Sequence, residues 1–411
     1  MRLELFIAKR LIFGKQYKNN ISAPIIKIAV IAIALSLVMM MIAIATGTGL
    51  QRKIREKVAA FNGHIQIFNY DNNTSEVSVN PISTQQDFYP NFTLTDGIDH
   101  IQAVALKGGI IRTETTFEGI IAKGVGKEYR WDYMEEYLTE GRLPEYGGER
   151  NEETLISAYL ANRLGFTVGT EFYAFFLKDD ESSVPSQVKF KVVGIYDSGF
   201  QEFDATYIFV DLRHIQRINR WNEDEVGSFE LFVSDFSTLA QKGREIYTKT
   251  PATLDSQTIA GKYHYIFEWL SLFDFNIAII IGIMILVGGI NVITALLVLI
   301  LERTRMIGIL KALGSANWSI RKVFLYNAAY LILVGLFWGN LLGLGLLLLQ
   351  RQFGFIKLDA ATYYVTQAPV YLNPLHILAL NAGTLVLCLV MLLVPSYIIT
   401  KIAPVKAIKF E

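Results

Sequence analysis

Four long runs of this chain carry no Asp, Glu, Lys or Arg. They lie between Lys27 and Arg52, between Asp274 and Glu302, between Lys322 and Arg351, and between Asp359 and Lys401. Each exceeds the roughly 20 residues needed to cross a bilayer core. The pattern predicts spans over 25–47, 275–301, 323–350 and 376–400. The first run is too long for a cleaved signal peptide and no small-residue cleavage site comes after it. No lipobox-type cysteine stands near the start.

Between the second and third runs lies a short basic, amphipathic stretch, 302–314. Ile307, Leu310 and Leu313 recur at three-residue spacing, which predicts one apolar helical face. Gly314 supplies a helix stop and Ser315 a candidate N-cap for the next helix. A second basic pair, Arg321-Lys322, precedes the third run. At the other end of the chain, residues 2–13 place Leu3, Phe6, Ile7 and Leu11 opposite Lys9 and Arg10. That suits a helix lying on the inner membrane surface, with a mobile basic tail as the alternative. Residues 1–24 form this N-terminal cytoplasmic element, with Pro24 at the first turn of the first span.

The segment 48–273 switches to mixed periodicity. Beyond Thr46-Gly47-Thr48-Gly49 the first span continues as helix through Val58, a stalk above the membrane. Gly63-His64-Ile65-Gln66-Ile67-Phe68 alternates as a strand, and Val188-Lys189-Phe190-Lys191-Val192 alternates most regularly. Further strands are expected at 101–106, 109–113, 116–123, 171–177, 188–196, 206–210 and 228–234. Helices are expected at 157–164, 211–219, 235–248 and 257–273, the last feeding the second span as a second stalk. Residues 71–97 read mostly as loop. Strands and helices mix without a βαβ repeat, so the domain is α+β. Two lobes are expected, an inserted one covering about 128–222. The whole is then an α+β membrane protein: four transmembrane helices, with a large extracytoplasmic domain inserted between helices 1 and 2.

Charge orients this arrangement. The 411 residues are 52% hydrophobic and 18% charged, with zero net charge. Yet 48–273 holds 22 Lys+Arg and 33 Asp+Glu, a balance of −11. Residues 1–27, 302–322 and 401–411 together hold 14 basic and 3 acidic residues, a balance of +11. Short basic loops stay in the cytoplasm, while long domains translocate largely regardless of charge. The termini and the 302–322 loop are therefore expected inside, and 48–273 with the 351–375 loop outside.

Chemistry is sparse. The five histidines, His64, His100, His214, His264 and His376, include no pair at metal-ligand spacing. Gly124-Val125-Gly126-Lys127 resembles a phosphate loop but fails, because Ile121 stands where the first glycine belongs and Glu128 replaces the Ser or Thr. Asp179-Asp180-Glu181 and Glu223-Asp224-Glu225 read as solvated loops. Cys388, within the last span, is the only cysteine, so no intramolecular disulfide forms. The spans lack the buried charges that mark ion or proton paths. Catalysis, nucleotide binding, resident metals or cofactors, nucleic-acid binding and ion-coupled transport are all disfavoured. Gly335, Gly339 and Gly343 recur every fourth residue in the third span, a spacing that lets another helix approach closely. Asn373-Pro374 starts the fourth span as cap and first-turn proline, and Pro395 should kink its inner end.

The chain resembles ABC transporter permeases of the mechanotransmission type, the group that includes MacB, FtsX and the lipoprotein-releasing LolC and LolE. The order of one span, a large outer domain and three spans carries the resemblance. So do the segment from Glu302-Arg303-Thr304-Arg305 to Leu310-Lys311-Ala312-Leu313-Gly314, the ending Val394-Pro395-Ser396 with Ala403-Pro404-Val405-Lys406-Ala407-Ile408, and the pair Ile156–Gly169 and Val192-Val193-Gly194-Ile195. Ser396 and Ile408 depart mildly from the family's Ala and Leu. Phe6-Ile7-Ala8-Lys9-Arg10-Leu11 and Gly63-His64-Ile65-Gln66-Ile67 look like the lipoprotein-releasing branch.

The resemblance implies an inner-membrane permease subunit, not an enzyme, with residues 275–411 as its FtsX-like domain. ATP and Mg would be handled by a separate LolD-like cytoplasmic ATPase, docking on a coupling helix at 302–314. Glu302, Arg303, Arg305, Ile307, Leu310, Lys311, Leu313 and Gly314 would form that coupling surface. It also implies a second permease copy or paralogue, a lipoprotein cargo drawn from membrane lipid, and a LolA-like periplasmic carrier. LolC engages its carrier by a protruding loop; Lys178, Asp179, Asp180, Val184 and Pro185 occupy the corresponding place here, in a segment more acidic than such a hook. An ordinary hairpin loop is the alternative. The rival functions are a MacB-like efflux permease and an FtsX-like regulator of a cell-wall hydrolase.

Overall fold

The computed structural model describes residues 3–13, 22–72, 75–177 and 184–403. In chain order, α1 (Leu3–Phe13) and α2 (Ser22–Asn62) lead to β1 (Ile65–Asn69), β2 (Ile82–Ser83), β3 (Ile98–Arg112) and β4 (Phe117–Val125). Then come α3 (Asp132–Glu135), β5 (Leu138–Gly141), β6 (Glu153–Ser157), α4 (Ala158–Leu164), β7 (Glu171–Phe176) and β8 (Ser186–Tyr196). Next are α5 (Gln201–Asp204), β9 (Tyr207–Asp211), α6 (Leu212–Asn219), β10 (Glu225–Val226) and β11 (Ser228–Val233). α7 (Leu239–Lys249), β12 (Leu254–Thr258) and α8 (Ile259–Lys262) complete the inserted region. The rest is helical: α9 (His264–Glu302), α10 (Thr304–Ala312), α11 (Asn317–Phe353), α12 (Ala360–Tyr363), α13 (Pro374–Ser396) and α14 (Ile398–Lys401).

Two compact units emerge. One comprises 1–51, 270–357 and 367–411; the other comprises 52–269 and 358–366. Among the described residues, four helices are long and apolar enough to cross a membrane: Pro24–Asn62, His264–Glu302, Asn317–Phe353 and Pro374–Lys401. In the membrane unit, Ile33, Leu37, Met40 and Met41 of α2 share a core with Val292, Leu296 and Ile300 of α9, Phe324 and Ile332 of α11, and Leu392 of α13. Asn340 and Asn381 exchange amide hydrogen bonds of 2.7 and 3.0 Å between α11 and α13, so neither amide is left unsatisfied in hydrocarbon. Asn373 accepts from Leu375 N at 2.9 Å and Pro374 stands in the first turn, as the cap signal predicts. α13 ends one residue past Pro395, and the chain restarts as α14 rather than bending within one helix.

The outer unit is built on a ten-stranded sheet in the order β12-β1-β11-β3-β4-β9-β6-β8-β5, with β7 paired to both β3 and β8. The circuit β3-β4-β9-β6-β8-β7 therefore closes on itself. Phe176, Phe190, Val192 and Ile156 on its strands are buried, while Phe209 is buried on the opposite face, against Phe61 of α2. The segment 128–222 supplies β5 to β9, which hydrogen-bond into the same sheet as the flanking strands, so the boundaries expected at 128 and 222 fall inside one sheet. Three local expectations need correction. The strands expected at 101–106 and 109–113 are one strand, β3, because Gly108-Gly109 stays extended; the Phe176 ring sits 2.6 Å from where a Gly109 Cβ would be. Residues 153–157 and 138–141 are strands that lack alternation. The helix expected over 257–273 is interrupted: β12 runs to Thr258, whose hydroxyl caps α8, and α9 starts at His264.

The Ile156–Gly169 motif folds as its residues dictate. Ser157 caps α4 by accepting from Leu160 N at 3.1 Å, and Gly165 ends it at φ +72°, a backbone that glycine adopts without strain.

Candidate coupling surface and hairpin

α10 is a nine-residue helix, shorter at both ends than the expected 302–314. The Thr304 hydroxyl donates to Leu301 O at 2.7 Å, and Gly314 turns the chain at φ +88° with no atom near its missing Cβ. Ser315 does not cap the next helix. Ala316 occupies the N-cap position with no side-chain cap bond.

The expected apolar face also needs correction. Ile307 is fully buried in the helical core and Leu310 packs against that core, whereas Leu313 is 77% exposed. The reason is geometric: at 3.6 residues per turn, positions six apart are rotated by about 120°, so three-residue spacing drifts off a face. Residues four apart stay aligned within about 40°. The exposed stripe is therefore Arg305, Ile309 and Leu313, with Ile309 at 47% exposure. Trp318, at 49%, extends the apolar surface onto α11, where the guanidinium of Arg321 stands 5.0 Å from its ring. Ile309 and Trp318 are absent from the sequence-based set; the i, i+4 spacing of 305, 309 and 313 was the available signal.

The charged residues divide likewise. Glu302 and Arg305 are exposed and Arg303 is half-buried. Lys311 turns inward and donates to the carbonyls of Thr400 at 3.2 Å and Ile402 at 2.7 Å. Arg321 likewise donates to Ser396 Oγ and Leu393 O, both within 3.0 Å. α10 and the start of α11 are thus tied to the C-terminal end of α13 and to α14.

Gly335, Gly339 and Gly343 lie on one buried face of α11, against α2 of the same chain. A Cβ at Gly335 would stand 2.7 Å from Ile33 Cβ, one at Gly339 2.9 Å from Leu37 Cβ, and one at Gly343 3.1 Å from Met41 Sδ. The close approach predicted by the spacing is an intrachain one.

In the outer unit, β7 and β8 form an antiparallel hairpin with Phe176 opposite Ser186. Lys178, Asp179 and Asp180 lie outside the described residues. Val184 is 82% exposed and Pro185 is also exposed, with Leu177 likewise exposed on the other arm. Of the expected carrier contacts, those described form an exposed apolar hairpin end.

With this geometry in hand, the comparisons with known proteins bear on the whole chain. Residues 28–258, more than half of it, match the model of the MacB-like periplasmic core domain. Residues 278–404 match that of the FtsX-like permease C-terminal domain. The chain belongs to the MacB/FtsX/LolC family of ABC transporter permeases.

Two lipoprotein-releasing system transmembrane proteins illustrate the kinship. LolE of Haemophilus influenzae is 22% identical over 99% of both chains. LolC of Xylella fastidiosa is 21% identical over 64% of this chain and 66% of its own length. The solved periplasmic region of MacB from Actinobacillus actinomycetemcomitans shares 15% identity over 49% of this chain and 91% of that one, at a TM-score of 0.32. As a member of this family the protein is an inner-membrane permease with a periplasmic domain. The family works with an ABC ATPase and with paired permeases.

Proposed function

We propose that this permease draws lipoproteins out of the inner membrane, driven by a separate cytoplasmic ATPase, and passes them to a periplasmic carrier. The observation that carries the reading is the exposed Arg305–Ile309–Leu313 stripe on a helix whose other side is tied down by Lys311. Such a helix offers an apolar, basic-edged surface to a partner and cannot move alone. With the termini and 302–322 in the cytoplasm, ATP-driven closure of the partner would push α10, and with it α13 and α14. α9 continues unbroken from Glu302 to His264, and α2 from Ser22 to Asn62, so each can transmit displacement along its length.

Two further features support this reading. Exposed Phe275, Ile279, Ile283, Leu286 and Ile290 repeat on α9 at three- and four-residue spacing, and Gly282 has open space about it. This stripe suits a second permease copy or paralogue. A groove of about 730 Å³ runs between α2 and α11, lined by Ile31, Leu35, Val38, Trp338, Leu342 and Leu346. It suits an acyl chain. Extracting such a chain opposes roughly 0.8 kcal/mol per buried methylene, which calls for an external energy source. The cargo assignment rests on the likeness to LolC and LolE.

Affinity capture of the chain from native membranes tests the reading. Co-purification of an ABC ATPase with acylated lipoprotein is the expected result. An ATPase with a periplasmic adaptor instead would establish MacB-like efflux, and a murein hydrolase an FtsX-like regulatory role; either would overturn lipoprotein release.

A further inference from the structure

The outer unit is acidic, yet one concave patch on it is basic. A pocket of about 340 Å³ is lined by Arg150 and Glu152 before β6, by Ser186 and Lys189 on β8, and by Arg217 and Arg220 at the end of α6. Five other arginines of this unit face acids: Arg52 with Glu56, Arg130 with Asp132, Arg142 with Glu153, Arg163 with Glu118, and Arg213 with Asp211; Arg112 and Arg244, outside the pocket, show no such pair among the described residues. Arg150, Arg217 and Arg220 have no such partner among the described residues. Lys189 is shared with Glu171 at 2.7 Å. Attraction to the C-terminal dipole of α6 accounts for cations at 217 and 220. It does not account for Arg150 or Lys189, which arrive on other elements.

Arg220 adds a second observation. It ends α6 at φ +60°, ψ +34°, the left-handed region where glycine or asparagine is the usual residue. A long cation stands where a smaller residue would fit with less strain.

We infer that this pocket is an oxyanion site that takes a phosphate group, free or esterified in a headgroup. A tetrahedral phosphate presents several acceptor oxygens to converging guanidinium forks, whereas a single carboxylate presents two. Glu152 leaves the lining with net positive charge, and the volume leaves room for more than the phosphate itself.

The test titrates the full-length protein in detergent with inorganic phosphate and with glycerol 3-phosphate, at constant ionic strength in chloride, by calorimetry. Saturable binding is expected. It should weaken by about tenfold or more in Arg150→Gln and in Arg217→Gln, since each removes charge-assisted hydrogen bonds. Arg220→Gly relieves the strained backbone, so it should melt no lower than the parent and still bind at least about tenfold more weakly. Arg112→Gln, on β3 and outside the pocket, should bind normally. Equal affinity for the two probes assigns free phosphate; clear preference for glycerol 3-phosphate assigns a headgroup. Absence of saturable binding, affinity unchanged in the three pocket variants, or binding of hexaglutamate without binding of phosphate would each overturn the assignment.

Discussion

The Lys57 ammonium on α2 donates to the backbone carbonyl of Tyr364, in the loop between the last two spans, at 2.8 Å. It also donates to Ser198 O, just beyond the end of β8. Tyr364 itself is held at φ +58°, with its ring stacked 4.3 Å from Phe200 and edge-on to Trp269. One lysine thus joins a stalk helix, the sheet and the 358–366 loop. Lys57→Met should raise amide hydrogen exchange across 358–366 while leaving β3 and β4 protected. Tyr364→Gly keeps the carbonyl and relieves the strained φ but loses the ring contacts, so its effect should be smaller. Unchanged exchange in Lys57→Met would show that the rings alone hold the loop.

The coupling surface makes a separable prediction. Leu313→Asp and Ile309→Asp should abolish ATPase association without lowering the melting temperature, because both side chains are exposed. Ile307→Ala should do the reverse, costing about 2–5 kcal/mol from a buried cavity with association retained. Pull-down and thermal unfolding on the same preparations separate the two. Full ATPase association by Leu313→Asp would place the docking surface elsewhere.

His64 provides a pH dependence. Its Nδ1 accepts from Val233 N at 3.0 Å, and the ring packs 5.6 Å from Phe232. Burial, with Arg130 nearby, pulls its pKa down from 6.5 to about 4. The unfolded chain therefore binds the proton first as pH falls. Stability should be undiminished above pH 6.5 and decline between pH 6.5 and 4, by about 3 kcal/mol at most. Melting temperatures of the parent and of His64→Gln, measured across that window, should converge as the pH drops. Parallel curves would refute it.

Lys123 and Glu230 form a fully buried pair, with Nζ 2.7 and 2.9 Å from the two carboxylate oxygens. Lys123 also donates to Phe61 O near the end of α2, and Gln102 donates to Glu230 at 2.8 Å. Removing one partner strands the other's charge, so Lys123→Met should cost about 3–5 kcal/mol. Lys123→Met with Glu230→Leu should recover part of that loss. A double variant no more stable than the single one would show that the Phe61 and Gln102 bonds, not the stranded charge, set the cost.

Much of the architecture is legible in the sequence because its signals are local. Four uncharged runs mark the spans, since charge in hydrocarbon is costly whatever surrounds it. Asn373-Pro374 marks a helix start because cap and proline act on their own backbone. Val188–Val192 marks a strand because a half-buried strand must alternate. Where burial is two-sided the signal fades: β6, with Leu155, Ile156 and Ser157 all buried, carries no alternation. Gly108-Gly109 reads as a break because glycine's freedom says nothing about whether Phe176 will cover it.

The coupling segment divides along the same line. Its position, its basic character and the stop at Gly314 are properties of the sequence alone, set by composition and by the backbone that glycine permits. Which side of α10 faces outward is not, because Ile307, Ile309, Leu310 and Leu313 are equally apolar. Packing against the bundle chooses Ile307 for the core and leaves Ile309 and Leu313 outside. Lys311 reads as one more exposed cation until the fold brings Thr400 and Ile402 to it from 89 and 91 residues away. Long-range carbonyls leave no trace in local spacing, so only the tertiary structure decides that this lysine holds the helix rather than greets a partner.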